Sequence, residues 1–188
     1  MTDIDYPMIA ADQTRSRGRV TIRRYDAEAL KTALPQWGDL PKKQRLAAVS
    51  LLSPDSTTTT TNIPKKGQHQ LLASYLCRAE SPTETAAYLA VGDDNSTSPT
   101  YTGGMNNEQY RTGVTGSSTD DTTVVSTTYL DATEANSMDA VREVALVSSE
   151  TPGADNEYWL NHSLVDPEPK SSTVALTVTV ELDWEVPQ

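Results

Sequence analysis

The chain has 188 residues and a formal net charge of −11, with 36% hydrophobic side chains and no phenylalanine. This length can bury a core in one medium domain or in two small ones. The acidity disfavours contact with nucleic acid or an anionic membrane, and no apolar run approaches the length of a membrane span. Cys77 is the single cysteine, which excludes an intrachain disulfide. The start of the sequence lacks a signal-peptide pattern, so synthesis and folding are expected in a cytoplasm.

The charge is divided unevenly along the chain. Residues 1–80 carry a net charge of +4, and residues 81–188 carry a net charge of −15. The acidic half is similar in style to proteins of highly saline environments, where salt screens repulsion between acids; an ordinary acidic domain is the alternative. The charge inversion and a change in periodicity predict two parts: a basic, partly helical docking region at 1–82 and an acidic domain at 83–188.

The first 82 residues predict short elements. Val20 and Ile22 alternate with polar residues, which indicates a short strand. Asp26 is expected to cap a helix that Pro35 stops. A second helix is expected after Pro41, with one apolar face.

Two further segments of this region have distinct patterns. The stretch Ser53–Asn62 contains a run of five threonines and predicts a loop or linker. The stretch Gly67–Arg78 places leucines and a tyrosine on one side of a third predicted helix.

The second half predicts an antiparallel β-sandwich, so the fold class is mainly β with a small helical N-terminal region. The closing strand alternates large apolar residues with threonines and acids, and it is expected to bury one face and expose the other. Short strands separated by turn-rich loops favour antiparallel pairing over alternating β-α units. The predicted strands are Ala86–Val91, Thr122–Leu130, Val141–Ser148, Tyr158–Val165 and Thr173–Val186.

No catalytic, cofactor-binding or metal-binding residue is predicted. His69 and His162 are the only histidines and lie in different predicted elements, which indicates structural or surface roles. The acid pairs Asp93–Asp94 and Asp120–Asp121 lack the spacing of a calcium loop. A phosphate-binding glycine loop and a nucleophile elbow are also absent from the sequence. A protein without enzymatic activity and without a cofactor is therefore expected.

A cluster of basic residues near the N-terminus predicts a docking surface for an acidic protein partner. A nucleic-acid patch is weaker, because acids interrupt the cluster, and a solvated face stays open as an alternative. The candidate docking residues are Arg15, Arg17, Arg19, Arg23, Arg24, Lys42, Lys43 and Arg45.

Several segments of the second half occur in a characteristic order. They are Tyr88–Thr97 (YLAVGDDNST), Asn106–Thr112 (NNEQYRT), Arg142–Ser148 (REVALVS), Leu160–Leu164 (LNHSL) and the strand that ends at Trp184. Together they resemble a family of small structural proteins of tailed viruses, of the tail-fibre, baseplate or head-fibre type, most of all those of halophilic archaeal viruses. Ala145 departs from the pattern, in which glycine is commoner at that position.

The resemblance implies a virion component that docks by its N-terminal region and displays an acidic β domain. Its expected partners are other tail, baseplate or capsid proteins and further copies of itself, with a host surface as a further candidate. A head turret or capsid decoration protein is the nearest alternative. A carbohydrate-binding sandwich is an alternative of another class, and it would require Tyr101, Tyr110 or Trp159 to line a groove.

Two arginines of the acidic half are candidate structural residues. Arg111 and Arg142 stand among acids and can tie carboxylates such as Glu108 or Glu143 by charge-assisted hydrogen bonds. The sequence therefore predicts that replacing Arg142 by alanine lowers the thermal midpoint.

Overall fold

The structure is a computed structural model that describes residues 18–61, 63–65, 70, 87–100, 102–120, 123–154 and 157–183. Within these residues the chain is mainly β, with ten strands in two antiparallel sheets. The strands are β1 (Arg19–Asp26), β2 (Ser56–Thr61), β3 (Ile63–Pro64), β4 (Tyr88–Gly92), β5 (Glu108–Gly113), β6 (Gly116–Asp120), β7 (Thr123–Leu130), β8 (Ala140–Val147), β9 (Asn161–Pro169) and β10 (Val174–Asp183).

The two sheets have five strands each among the described residues. The first sheet has the order β2-β1-β10-β7-β6, and the second has the order β3-β9-β8-β4-β5. Strand β10 is therefore central in its sheet. It pairs with β1 from Val174 to Glu181 and with β7 from Leu176 to Asp183. A strand flanked on both sides must satisfy its backbone within the sheet, and its apolar face then has to be covered.

Strand β10 buries the apolar face that its alternation predicts. Leu176, Val178, Val180 and Leu182 all belong to the main hydrophobic cluster. This cluster contains residues from β1, β7 and β10 of the first sheet and from β4, β8 and β9 of the second sheet. The two sheets therefore contribute to one core.

The opposite face of β10 is not wholly exposed, in contrast to the prediction. Ala175 is buried in a second cluster with Tyr25, Trp37 and Tyr129. The Trp37 and Tyr129 rings meet edge to face, with their centroids 5.9 Å apart. The helices α1 (Ala27–Ala33) and α2 (Lys42–Val49), which a 3-10 turn at Trp37–Asp39 separates, supply further residues to this cluster. They cover one end of this second face of the first sheet.

The two short helices begin and pack as their sequences indicate. The predicted N-cap is confirmed, because the Asp26 side chain accepts a hydrogen bond from the Ala29 backbone N–H at 2.8 Å. Helix α2 follows Pro41 and buries Val49, with Leu46 and Leu52 half-buried against the second cluster.

The loop predicted at Ser53–Asn62 is wrong, because Ser56–Thr61 form β2. This strand pairs with β1 from Ser56↔Arg24 to Thr61↔Arg19. Threonine is β-branched and suits an extended backbone. The low complexity of the run therefore hid a strand whose formation depends on the neighbouring β1.

Three more strand predictions need correction. Strands β5 and β6 are not among the predicted strands. Strand β9 begins at Asn161 and continues to Pro169, beyond the predicted end at Val165. Proline is tolerated where a strand has no neighbouring strand to accept its N–H. Among the described residues, β3 pairs with β9 only at Asn161 and His162. The later residues of β9 therefore have no partner strand on that side within the described chain.

The predicted helix at Gly67–Arg78 lies outside the described residues, apart from residue 70. The predicted division at residue 82 stays a prediction, because residues 71–86 are also outside them. Strands from both sides of that point pair with each other, as β1 does with β10 and β3 does with β9.

Candidate functional site

The candidate docking residues of the N-terminal part lie on two elements. Arg15 and Arg17 are outside the described residues. The strand β1 carries Arg19, Arg23 and Arg24, and helix α2 carries Lys42, Lys43 and Arg45.

Two arginines of β1 are held by acids of the second half of the chain. Arg19 makes a two-point contact with Glu181 of β10, at 3.1 Å from Nε and 2.8 Å from Nη2. Arg24 Nη1 lies 3.5 Å from the buried Glu168 carboxylate of β9. These pairs join strands within the fold, so much of the positive charge of Arg19 and Arg24 is neutralised internally.

Two cations of α2 are held in the same way. Lys42 Nζ lies 2.7 Å from Glu134, and Arg45 Nη1 lies 2.5 Å from Asp131. Arg45 also donates to the backbone carbonyls of Leu40 and Gly38. Both acids belong to the loop between β7 and β8, so the pairs fasten α2 to that loop.

An open depression of about 490 Å³ lies beside these pairs. Its lining combines cations with the acids that bind them: Lys31, Trp37, Gly38, Lys42, Arg45, Asp131, Thr133 and Glu134. Because Lys42 and Arg45 already bind acids, they are poorly suited to hold an added anion. Arg23 and Lys43 are exposed and have no ionic partner among the described residues, so they are the candidate docking residues best able to meet a partner.

The two candidate structural arginines occupy different surroundings. Arg111 is buried, with 5% of its side chain exposed, and makes two hydrogen bonds of 2.7 Å to Glu108. It also contacts Glu157 and the Ser149 carbonyl. Arg142 instead binds Asp139 at 2.9 Å, with 80% of the acid side chain exposed. Arg111 is thus the centre of a buried network, and Arg142 belongs to a surface pair.

A buried polar cluster, formed by Lys65, Glu143 and His162, lies under the loop between β4 and β5. His162 Nε2 is 2.9 Å from Glu143 Oε2, and both side chains have 0% exposure. The Glu143 carboxylate also accepts the backbone N–H groups of Asn106 and Asn107, at 2.9 and 2.7 Å. Glu143 therefore links β8, β9 and the loop that precedes β5.

The charge state of this cluster follows from its hydrogen bonds. Burial alone would raise the pKa of Glu143, but His162 and the two backbone N–H groups outweigh it and lower that pKa. An ionised carboxylate only accepts hydrogen bonds, so Nε2 of His162 carries the proton. Its Nδ1 has no partner within the described part of the chain.

Lys65 is the third residue of the cluster and directly follows β3. Its Nζ donates to the Thr100 carbonyl, and the side chain is 1% exposed. Burial lowers the pKa of Lys65 to about 8, against the opposing effect of the Glu143 charge. The sequence missed this cluster, because Glu143 stands in an apolar strand and His162 is 19 residues away. Its one signal is that two charged residues, Arg142 and Glu143, interrupt the apolar run of β8.

The burial of the cluster is typical of side chains with a structural role. All three side chains are buried beneath the loop, so a substrate has no direct access to them. No group of three or more histidine, cysteine, aspartate or glutamate residues in the described ranges could hold a metal ion. Asp93 accepts from Asn107 Nδ2, and Asp94 accepts from the Ser96 backbone N–H. These two acids therefore stabilise their own loop.

Two of the three aromatic residues that a carbohydrate-binding groove would require already contact other residues of the chain. The Arg111 guanidinium lies 5.6 Å from the centroid of the Trp159 ring, and Gly104 packs against the same indole. Tyr110 donates its hydroxyl to Glu134 at 2.7 Å. Tyr101 lies outside the described residues.

The described helices are too short and too polar to cross a lipid bilayer. No protein-family model, curated protein or solved structure matches this chain.

Proposed function

We propose that the protein is a non-enzymatic structural component of a tailed-virus particle, of the tail or baseplate fibre type. The observation that carries the proposal is the ordered set of sequence segments from Tyr88 to Trp184, which resembles that family. The mainly β architecture with two antiparallel sheets is compatible with it. A head turret or capsid decoration protein is the nearest alternative on the same grounds.

The two sheets are proposed to pack face to face as a β-sandwich. One hydrophobic cluster draws residues from both sheets. The buried Glu168 of β9 accepts hydrogen bonds from Ser56 and Thr58 of β2, at 2.8 and 2.9 Å. These contacts run from the second sheet to the first, as facing sheets require.

The use of charge supports a structural role. Arg19, Arg24, Lys42 and Arg45 each bind an acid distant in sequence. Glu143 and His162, whose side chains have no exposure, bind each other. Such pairs fix loops and strands, whereas acid–base catalysis needs a titrating group within reach of a substrate.

Docking to the particle is proposed to use the N-terminal region. Within the described chain, Arg23 and Lys43 are its exposed candidate docking residues without an ionic partner, and Arg15 and Arg17 precede them in sequence. An acidic surface on another virion protein would provide the complementary charge.

The direct test locates the protein on particles. Antibodies against it are expected to label the tail or baseplate of tailed particles released by the source organism, and purified particles should contain the chain by mass spectrometry. Label on the head would support the decoration alternative. Absence from particles, together with presence in the cell lysate, would overturn the proposal.

A binding assay addresses the carbohydrate alternative. A glycan array and titrations with soluble oligosaccharides are expected to show no binding, because the Trp159 ring already contacts Arg111. Binding that is lost on Trp159→Ala but retained on Tyr158→Ala would favour the carbohydrate-binding class instead.

A further inference from the structure

We propose that β2 is the contact strand for a second copy of this chain. The two β2 strands would pair antiparallel across a twofold axis, so that the first sheets of both copies join into one continuous sheet. The inference does not depend on the virion proposal, since it concerns only the edge of a described sheet.

Within the described residues, β2 is an edge strand of the first sheet. It pairs with β1 on one side, and no strand of the described residues pairs with it on the other. Its six residues, Ser-Thr-Thr-Thr-Thr-Thr, carry no charge and no proline. Six extended residues span about 20 Å, along which unpaired N–H and C=O groups form a template for another strand.

The other sheet edges are protected in ways that β2 is not. Strand β3 has two residues and contains Pro64. The part of β9 beyond β3 contains Asp166 and Pro167. Strand β5 carries charges at Glu108 and Arg111. Short strands, prolines and charges are the usual means of preventing edge-to-edge association.

The remaining edge is β6, which is five residues long and begins with a glycine. Glycine weakens a strand because it adds backbone entropy and offers no side chain for pairing. By length, charge and β-propensity, β2 is therefore the most favourable edge for adding a strand.

Side-chain contacts also fix β2 in an extended conformation. On its inner face, Ser56 and Thr58 bind Glu168. On its outer face, the Thr59 hydroxyl lies 3.4 Å from that of Thr21. A strand already fixed in the extended form loses little conformational entropy when a partner pairs with it.

The chemistry of the edge favours a second copy over another partner. Opposed residues of antiparallel strands lie on the same face, so a twofold axis at Thr59 sets Thr57 against Thr61 of the second copy. Every opposed pair within Thr57–Thr61 is then Thr–Thr, and such pairs form cross-strand hydrogen bonds. Strand β2 itself carries no charged side chain. The depression of about 220 Å³ that Thr59 and Thr60 line with Asn95, Leu164, Val165 and Asp166 adds one acid beside this edge.

The electrostatics of β2 suit contact between copies of an acidic protein. Two chains of net charge −11 repel each other, and β2 is a stretch without acids. Its neighbours Arg19 and Arg24 are paired with Glu181 and Glu168. Salt screens the remaining repulsion, so pairing is expected to strengthen as salt is raised.

The contact area is small, which sets the design of the test. A stable interface buries roughly 1,200 Å² or more, and one pair of six-residue strands buries less. The dimer is therefore expected to be weak, with dissociation in the range from about 10 μM to about 1 mM. Sedimentation equilibrium of the full chain across that range, at low and high salt, is expected to show a monomer–dimer equilibrium.

Proline variants identify the edge. Neighbouring residues of a strand point their N–H groups in opposite directions, so Thr59→Pro and Thr60→Pro remove one donor toward β1 and one toward the open edge. The variant that keeps the parent thermal midpoint should have a dimer dissociation constant at least about tenfold higher than that of the parent. Ser117→Pro and Ser118→Pro, the matched pair on β6, should include a folded variant that still dimerises.

Two results would overturn the inference. One is a monomer throughout the concentration range at high salt. The other is a folded β2 proline variant that dimerises like the parent, for both substitutions.

Disulfide trapping covers the case in which both β2 proline variants unfold. In a Cys77→Ser background, Thr59→Cys should form a disulfide dimer if the axis passes through Thr59. A mixture of Thr57→Cys and Thr59→Cys should cross-link if the axis passes through Thr58, because opposed Cα atoms lie within disulfide range. Ser118→Cys is the control that should stay uncrosslinked. Failure of both cysteine experiments would contradict pairing through β2.

Discussion

Glu143 and His162 form a hydrogen-bonded pair of 2.9 Å in which neither side chain is exposed. Breaking a buried pair by removing one partner leaves the other without compensation, which costs about 3–5 kcal/mol. Glu143→Gln is therefore expected to lower the free energy of unfolding by roughly that amount in urea titrations. Glu28→Gln is the control, because its pair with Lys31 is exposed and should contribute little. Equal effects of the two substitutions would contradict the structural role of Glu143.

The same carboxylate predicts an acid-sensitive stability. Although burial opposes ionisation, the hydrogen bonds from His162, Asn107 and Asn106 lower the pKa of Glu143 below its ordinary 4.5. A lowered carboxyl pKa contributes stability above pH 4.5, and this contribution is lost as the pH falls through the folded-state value. Urea midpoints measured at decreasing pH should fall more steeply for the parent than for Glu143→Gln. Parallel curves would show that Glu143 titrates alike in the folded and unfolded chains.

Gly92 lies where the loop meets the buried polar cluster. A Cβ at this position would stand 2.5 Å from Glu143 Oε1 and would also clash with the Asn107 carbonyl. Gly92→Ala is therefore expected to lower the free energy of unfolding by about 1–3 kcal/mol, the range of an overpacked core. Gly38→Ala is the matched control, since a Cβ there has no neighbour within 4 Å. A thermal midpoint unchanged by Gly92→Ala would contradict the close packing of this loop.

Lys65 and Lys170 predict a rise in stability at mildly alkaline pH. Burial lowers the pKa of each to about 8, in spite of nearby acids. Between pH 8 and 10 the unfolded chain binds more protons than the folded chain, so the free energy of unfolding should increase with pH. The Lys65→Met and Lys170→Met double variant should lose this slope and gain stability at pH 7, whereas Lys43→Met should change neither. A parent curve that falls steadily from pH 8 to 10 would contradict the prediction.

Arg111 and Arg142 should differ in their contribution to stability. Arg111 is buried and binds Glu108, Glu157 and the Ser149 carbonyl, so Arg111→Ala is expected to cost about 3–5 kcal/mol. Arg142 binds one exposed acid, so Arg142→Ala should lower the thermal midpoint only slightly, by less than about 1 kcal/mol in free energy. Thermal and urea unfolding of both variants tests this order. A larger loss for Arg142→Ala would reverse it.

The candidate site shows what sequence patterns can miss. Periodicity marks Val144 and Leu146 as core residues, and both are buried. Glu143 lies on the opposite face of the strand by the same alternation, and the loop at Asn106 covers that face and supplies two hydrogen bonds. Burial of a charge depends on a segment 37 residues away, and no local pattern contains that contact.

The sequence alone determined the strands whose side-chain pattern is strong. The alternation from Val174 to Leu182 predicted a half-buried strand, because a period of two assigns every second residue to one face. The N-cap of α1 at Asp26 was likewise predictable, since capping is a local hydrogen bond.

Only the tertiary structure decided which strands are neighbours and which charges are available. The threonines of β2 have no apolar pattern, and they form a strand because β1 pairs along them. Arg24 looks like a surface cation in sequence, but it faces Glu168 in another sheet. The central place of β10 between β1 and β7 also depends on pairings across most of the chain. Hydrogen bonds between distant backbone segments fix these arrangements, and side-chain periodicity carries no information about which segments they join.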